Sequence, residues 1–296
     1  MNIFITGATG LIGSSLVSRL VELKHNVTAL SRYPEESRPK LPSSVNLVAT
    51  LDHYSSFDEF DAVINLAGEP IFDHRWNTQQ KQKLVQSRVN LTQKLTALIN
   101  QSQQPPHTFL SGSASGFYGD HGESEITEQT CHGNGFAAQL CQQWEQAALS
   151  AKTRVCLLRT GIVLTGQGGA LAKMLPLYRL GLGGKLGNGA QYWGWIALQD
   201  MVAAILFLLQ QPECRGPFNF VSPFPVRNAE FNRTLGLLLK RPYFATVPAW
   251  GLKWVLGERV GLLLESQRLI PEKLLNAGFT FRYPQLSQAL SGILKP

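Results

Sequence analysis

The sequence predicts an α/β protein: a doubly wound parallel sheet carrying a smaller, mainly helical C-terminal lobe. Three observations point there. Short apolar runs alternate with helix-length amphipathic stretches through Thr165. A glycine-spaced turn joins the first run to the first helical stretch. Beyond Thr165 the alternation loosens into a Gly-rich segment and a tail of short helical patterns. With 296 residues, 44% of them apolar and 16% charged, the chain can bury a large core and add a lobe to it.

The elements follow in order. "NIFIT" at 2–6 reads as a strand, and "LIGSSLVSRLVELK" as a helix with Ile12, Leu16, Leu20 and Leu23 on one face. "NVTALS", "VNLVA" and "DAVINLAG" read as further strands. A helix is expected from about Gln79 to Asn100, then the strand "HTFLSG" ending at a loop. A helix from about Phe136 to Ser150 and the strand "TRVCLLRTG" follow. Pro176 then breaks "GQGGALAKMLPLYRLGLGGKLGNGAQ" into a helix and a long loop. "LQDMVAAILFLLQQ" reads as a helix, "GPFNFVS" as a strand and "RPYFATVP" as a late strand among short helices.

Composition excludes several classes. The longest strongly apolar run, "MVAAILFLL", has nine residues, against about 20 for a bilayer span. The start "MNIFITGATG" enters a strand without the basic and apolar regions of a signal peptide. Cys131, Cys141, Cys156 and Cys214 show neither CxxC pairing nor metal-ligand spacing, so reduced thiols, no metal and a cytoplasmic location are expected. The net charge is +7, and residues 227–296 hold ten basic and four acidic side chains, scattered singly. No nucleic-acid motif accompanies them, and neither nucleic acid nor a membrane is an expected partner.

"TGATGLIG" sets Gly7, Gly10 and Gly13 between strand and helix. The first glycine permits the tight turn, the second lets a pyrophosphate approach the backbone, and the third lets the helix close on the sheet. Thr9, Leu11 and Ile12 complete a phosphate cradle at the helix N-terminus. This is the dinucleotide-binding pattern of a Rossmann-type sheet. An NAD site ends the next strand in an acid that holds the ribose hydroxyls. Here Ser31 and Arg32 stand in that place. A guanidinium pairs with a 2′-phosphate, which selects NADP(H) over NAD. The expected division is an NADP-binding domain at 1–165, joined again by 198–222, and a substrate lobe at 166–197 and 223–296.

"TGATGLIG", "DAVINLAG" and "FLSGSASGFYG" together resemble the extended short-chain dehydrogenase/reductases, which include sugar-nucleotide epimerases. "NLAGEPIFDHRW", "WGWIALQDMVAAILFLL", "PVRNAEF" and "NAGFTFRYP" narrow this to an atypical, NAD(P)-dependent epimerase-like subfamily. Its members carry a C-terminal region of unknown function, and some bear the label of cell-division inhibitor. The resemblance covers nearly the whole chain. It implies that Leu66, Ala67 and Gly68 line the adenine–ribose side. It sets Ser111 and Gly112 beside the nicotinamide ribose, and Arg159, Thr160 and Gly161 at the nicotinamide end. Members of the broader group form dimers through paired helices, which leaves a homodimer open for this chain.

In the broader family a Ser or Thr, a Tyr, and a Lys four residues after the Tyr carry the chemistry. The tyrosinate exchanges a proton with the substrate hydroxyl while hydride moves at the nicotinamide. Ser113 fills the first role. The helix that should hold Tyr-x-x-x-Lys instead presents Phe136 and Leu140, or Ala137 and Cys141 one residue on. No Tyr lies between Tyr118 and Tyr178, and no Lys between Lys94 and Lys152. Tyr118 is the nearest phenol and a secondary acid/base candidate, although the motif packs it at the loop. His121, Glu123 and Glu125 read as solvated loop residues. Arg75 and Trp76 either contact substrate or brace their loop, and Trp193 and Trp195 either wall the cleft or pack in the core. The expectation is an NADP-binding oxidoreductase or epimerase-like enzyme with a non-standard active site, acting on an unidentified small molecule, with nucleotide sugars as one class. The alternative is a non-catalytic NADP(H)-binding sensor or interaction protein.

Overall fold

Runs such as "DAVIN" and "HTFLSG", apolar on successive residues, suit strands covered on both faces. In the computed structural model, which describes residues 1–294, seven of them form one sheet; residues 295–296 of the expected C-terminal lobe lie outside the described residues. The strands are β1 (Asn2–Thr6), β2 (Asn26–Leu30), β3 (Asn46–Val48), β4 (Ala62–Asn65), β5 (Thr108–Ala114), β6 (Arg154–Thr160) and β7 (Gly216–Phe220). Their order is β7-β6-β5-β4-β1-β2-β3, all parallel. Strand order reverses between β1 and β4, which opens the ligand crevice at their C-terminal ends.

Helices cover both faces: α1 (Leu11–Glu22), α2 (Thr78–Val85), α3 (Leu91–Gln101), α4 (Phe136–Leu149), α5 (Gly169–Arg179), α6 (Leu198–Gln210), α7 (Asn228–Leu239), α8 (Ala249–Leu256) and α9 (Leu286–Leu294). Ile3, Ile5, Leu110, Leu158 and Phe218 pack under α1 and α6 on one face. Phe4, Phe57, Val63, Phe109 and Leu157 pack against α3 on the other. The period-2 alternation of each strand divides its side chains between these two cores. In the C-terminal lobe, α5, α7 and α9 enclose Trp193, Trp195 and Phe231.

Four local expectations change. β5 continues to Ala114, so Ser111 and Ser113 are strand residues, with Ser113 opposite Arg159 on β6. The helix expected at 79–100 is interrupted by a π-helical turn at Gln86–Asn90, which inserts Arg88 beneath the tip of β4. α5 runs through Pro176, held by the buried face of Leu171, Leu175 and Tyr178 despite the missing N–H. "RPYFATVP" supplies only the short strand Ala245–Val247, paired with Gly184–Leu186 inside the expected loop.

Asp200, 1% exposed, ties the two parts together. Its carboxylate accepts the backbone N–H groups of Arg282 at 2.8 Å and Tyr283 at 2.9 Å. Asp200→Ala leaves two part-buried backbone donors without their carboxylate, each charge-assisted bond being worth about 1.5–3 kcal/mol. Urea unfolding is expected to show a loss of about 3 kcal/mol; a loss under about 1 kcal/mol would mean that water replaces the carboxylate without cost.

Candidate active site

Two glycines of the loop leave no room for a side chain. Gly7 has φ +72°, a left-handed conformation, and a Cβ on it would lie 2.7 Å from the Leu66 carbonyl carbon. A Cβ on Gly13 would lie 2.1 Å from the Gly7 carbonyl oxygen. The loops after β1 and β4 therefore touch at the crevice. Gly10 caps α1 without a side-chain bond, so the first-turn N–H groups of Leu11, Ile12 and Gly13 face the crevice as donors. Thr9 and Gly10 are exposed beside them. From the lobe side Gly168 closes over the loop, where a Cβ would meet the Leu11 side chain at 2.6 Å.

At the tip of β2, the Ser31 and Ser37 hydroxyls are 2.6 Å apart. The exposed Arg32 guanidinium lies 6.0 Å from the Tyr33 ring centroid. No protein acceptor holds it among the described residues. At the tip of β4, Leu66 and Ala67 are half-buried and Gly68 is exposed. Arg88 packs beneath Gly68, donating to the Glu69 carbonyl at 2.9 Å, and burial lowers its pKa from the ordinary arginine range. A Cβ on Gly68 would strike its guanidinium carbon at 2.9 Å. Asn65 fixes the tip itself, accepting from the Thr6 hydroxyl at 2.7 Å and donating to Thr92 at 2.8 Å.

The C-terminal half of β5 meets a buried polar network. Ser113, 5% exposed, donates to Glu145 Oε1 at 2.6 Å. Arg159 grips the same carboxylate with Nε and Nη2, both at 2.8 Å. Its remaining terminal nitrogen donates to the Tyr118 hydroxyl at 2.9 Å and to the Glu128 carbonyl at 3.3 Å. Tyr118 in turn donates to Asn219 Oδ1 at 2.7 Å. The Glu128 carboxylate accepts the Asn219 backbone N–H at 2.9 Å, and burial raises its pKa. The guanidinium also stacks on Phe117, 3.6 Å from the ring centroid.

Two expected roles change here. Tyr118 is fully buried and its phenol is pushed up to about 12 by burial, which outweighs the neighbouring Arg159 charge. It is a structural phenol, unsuited to proton exchange with a substrate. Arg159 was expected at the nicotinamide end, but its donors are spent on Glu145, Tyr118 and Glu128, so it acts through the groups that it holds. Gly161 packs equally closely, since a Cβ there would lie 2.5 Å from the Gly194 carbonyl oxygen.

Around Phe136 and Leu140, the positions at which the sequence led us to expect Tyr and Lys, an apolar cluster stands. Leu140 is buried with Leu84, Val89 and Trp144, and Phe136 meets Trp76 edge-on at 5.1 Å. Burial pushes the Cys141 thiol up to about 12, which leaves it inert as a nucleophile at neutral pH. Trp76 also donates to the Ile71 carbonyl at 2.8 Å. Arg75 donates to the carbonyls of Trp254 at 3.2 Å and Val255 at 3.1 Å. Both side chains brace their loop, Arg75 doing so against the C-terminal lobe. Trp193 is 5% exposed, packs on Phe231 and donates to the Leu263 carbonyl at 3.1 Å; it is core and does not wall the cleft. Ser111 is fully buried, with Asn65 Nδ2 at 3.5 Å from its hydroxyl, and Gly112 lies under Trp144, which a Cβ would meet at 2.9 Å.

Sequence reasoning missed Glu145, Arg88, Glu128 and Asn219. Glu145 left one signal: it sits four residues after Cys141 and three before Ala148, on the buried stripe of α4. A cavity of about 410 Å³ opens between Asp120–Glu123 and the lobe residues Leu186, Asn188, Gln191, Ala249, Leu264 and Ser266. Among the described residues, no group of His, Cys, Asp and Glu is arranged to hold a metal.

The buried pair makes a direct prediction. Glu145→Gln leaves Arg159 charged and half-partnered, and breaking such a pair costs about 3–5 kcal/mol. Adding Arg159→Met is expected to recover more than half of that loss in urea unfolding. Additive losses would contradict the coupling.

Comparison with known proteins places this geometry in a family. The model of the NAD dependent epimerase/dehydratase family matches residues 3–220, and a domain of unknown function matches residues 247–293. An epimerase family protein of Mycobacterium leprae is 38% identical, over 97% of this chain and 94% of its own. The chloroplastic homolog of epimerase family protein SDR39U1 from Arabidopsis thaliana is 35% identical, over 100% of this chain and 87% of its own. The crystal structure of human epimerase family protein SDR39U1 with NADPH superposes with a TM-score of 0.90 at 34% identity, covering 99% of both chains. A Corynebacterium glutamicum structure described as a nucleoside-diphosphate sugar epimerase gives 0.76 at 33% identity, over 99% of this chain and 58% of that one. The uncapped glycine loop, the crevice between β1 and β4 and the match over most of the chain agree: this protein belongs to the NAD dependent epimerase/dehydratase family.

Proposed function

We propose that the chain binds NADP(H) across the β1–β4 crevice and acts on a small molecule as an oxidoreductase or epimerase-like enzyme. The observation that carries the cofactor reading is the cradle at Gly7, Gly10 and Gly13, too close for any Cβ at two positions and lined by uncapped helix N–H groups. The unengaged Arg32 beside Ser31 suits a 2′-phosphate. The human relative's structure with NADPH supports the same choice.

The bound nicotinamide would accept or give hydride at C4. Proton handling falls to Ser113. Its hydrogen points to Glu145, so its free lone pairs accept. As hydride leaves the substrate carbon, the substrate O–H proton passes to Ser113 Oγ and the serine's own proton passes to Glu145. The reverse transfers reduce a carbonyl. Arg159 holds the Glu145 carboxylate aimed at Ser113, the part that lysine plays toward the tyrosine in the broader family. The substrate would lie between the lobes. The walls of the cavity there carry Asp120 and Glu123, the latter paired with Arg227 at 2.6 Å, and no other charged side chain. Sugar hydroxyls suit it better than a diphosphate, which narrows the nucleotide-sugar class suggested by the Corynebacterium relative.

A second reading, a non-catalytic NADP(H) sensor, is favoured by the burial of Ser113 and the apolar cluster at Phe136 and Leu140. One experiment separates the claims. Fluorescence titration is expected to show NADPH binding at least about tenfold tighter than NADH, with Arg32→Ala losing that margin for NADPH alone. Equal affinities, or an unchanged Arg32→Ala, would remove the 2′-phosphate assignment. Adding a carbonyl panel to the same samples should oxidise NADPH at a rate that Ser113→Ala lowers by about 100-fold. Binding without turnover would favour the sensor.

A further inference from the structure

The largest exposed apolar side chains among the described residues gather on the C-terminal lobe. Phe244 is 86% exposed, Trp254 82%, Trp250 76%, Leu180 73% and Leu182 62%. They come from two segments that lie far apart in sequence and that the fold joins. Ala245–Val247 pairs in parallel with Gly184–Leu186, Ala245 opposite Gly184. A Cβ on Gly181 would touch Pro242 at 3.4 Å. Leu182 and Phe244 therefore flank one junction. α8 begins just beyond, and its Trp250 and Trp254, four residues apart, share one side of the helix.

The charge on these segments has one sign. Residues 177–187 and 237–255 contain Arg179, Lys185, Lys240, Arg241 and Lys253 and no Asp or Glu. All but Lys185 are exposed.

We propose that this face docks on the surface of an anionic lipid bilayer. Trp, Phe and Leu side chains would enter the headgroup–acyl boundary while the flanking cations meet lipid phosphates. A second copy of the chain is a poor occupant, because a two-fold contact would set these cations against their own copies, and the neighbouring exposed carboxylate, Glu258, is already paired with Lys81 at 2.7 Å. Among the described residues no helix is long and apolar enough to cross a membrane, so the attachment is interfacial. The sequence expectation of no membrane partner rested on the lack of a spanning run. That criterion does not see a surface assembled by strand pairing. The proposal is independent of the NADP(H) reading.

The test is co-sedimentation of the full chain with vesicles of phosphatidylcholine alone or with about 30% phosphatidylglycerol, in about 0.1 M salt. The chain is expected to pellet with the anionic vesicles, at least about tenfold more weakly with phosphatidylcholine or in about 0.5 M salt. Phe244→Ser/Trp254→Ser and Lys240→Glu/Arg241→Glu should each lose binding while keeping native circular dichroism. No pelleting, equal pelleting with both vesicles, or variants that bind like the parent would overturn the proposal. So would sedimentation equilibrium showing a dimer that both variants dissolve, since a second copy would then cover the face.

Discussion

A guanidinium and a carboxylate, each side chain about 6% exposed, are paired where β6 meets α4, and the site is built around them. Burying either ion alone would be costly, because removing an ion from water costs several kcal/mol that only close, bidentate partners repay. The pairing sets the rotamer of Glu145, and Glu145 sets the hydroxyl of Ser113. The spare donors of Arg159 hold Tyr118 and the Glu128 carbonyl, which draws the segment after β5 onto the sheet. Asn219 extends the same network to β7 and, through the Ile270 carbonyl at 2.9 Å, to the C-terminal lobe. A polar network of this kind is costly unless each member is satisfied, and here the geometry satisfies it.

The parts legible in the sequence are those encoded locally. The glycine spacing reports on backbone conformation and close approach, and the structure meets it with Gly7 at positive φ and Gly13 against Gly7. Strands and helices of the sheet follow from burial periodicity within single segments. The absence of a Tyr-x-x-x-Lys spacing between Tyr118 and Lys152 was equally visible, since it is a question of residue types at fixed spacing. What filled its place was not. Phe136 and Leu140 are harmless helix residues until Trp76 and Trp144 pack on them.

The residues that the sequence left open or misplaced find their partners on other elements. Arg159 looks like a ligand-binding arginine at a strand end until Glu145, on the helix before it, claims its donors. Tyr118 looks available until Asn219, 101 residues later, takes its hydroxyl. Arg75 reaches carbonyls about 180 residues away, which favours bracing, one of the two roles left open for it. Glu145 was the recoverable case, a carboxylate on an otherwise apolar helix face, which a buried position tolerates only with a cationic partner.

The role proposed for Ser113 rests on the Arg159–Glu145 pair presenting it beside the hydride site. A crystal structure with NADPH bound tests it most directly. With the cofactor bound, Ser113 Oγ is expected within about 4 Å of the nicotinamide C4 region, with the Ser113–Glu145 bond intact. A nicotinamide seated away from β5, or Ser113 still sealed from it by protein, would contradict the account.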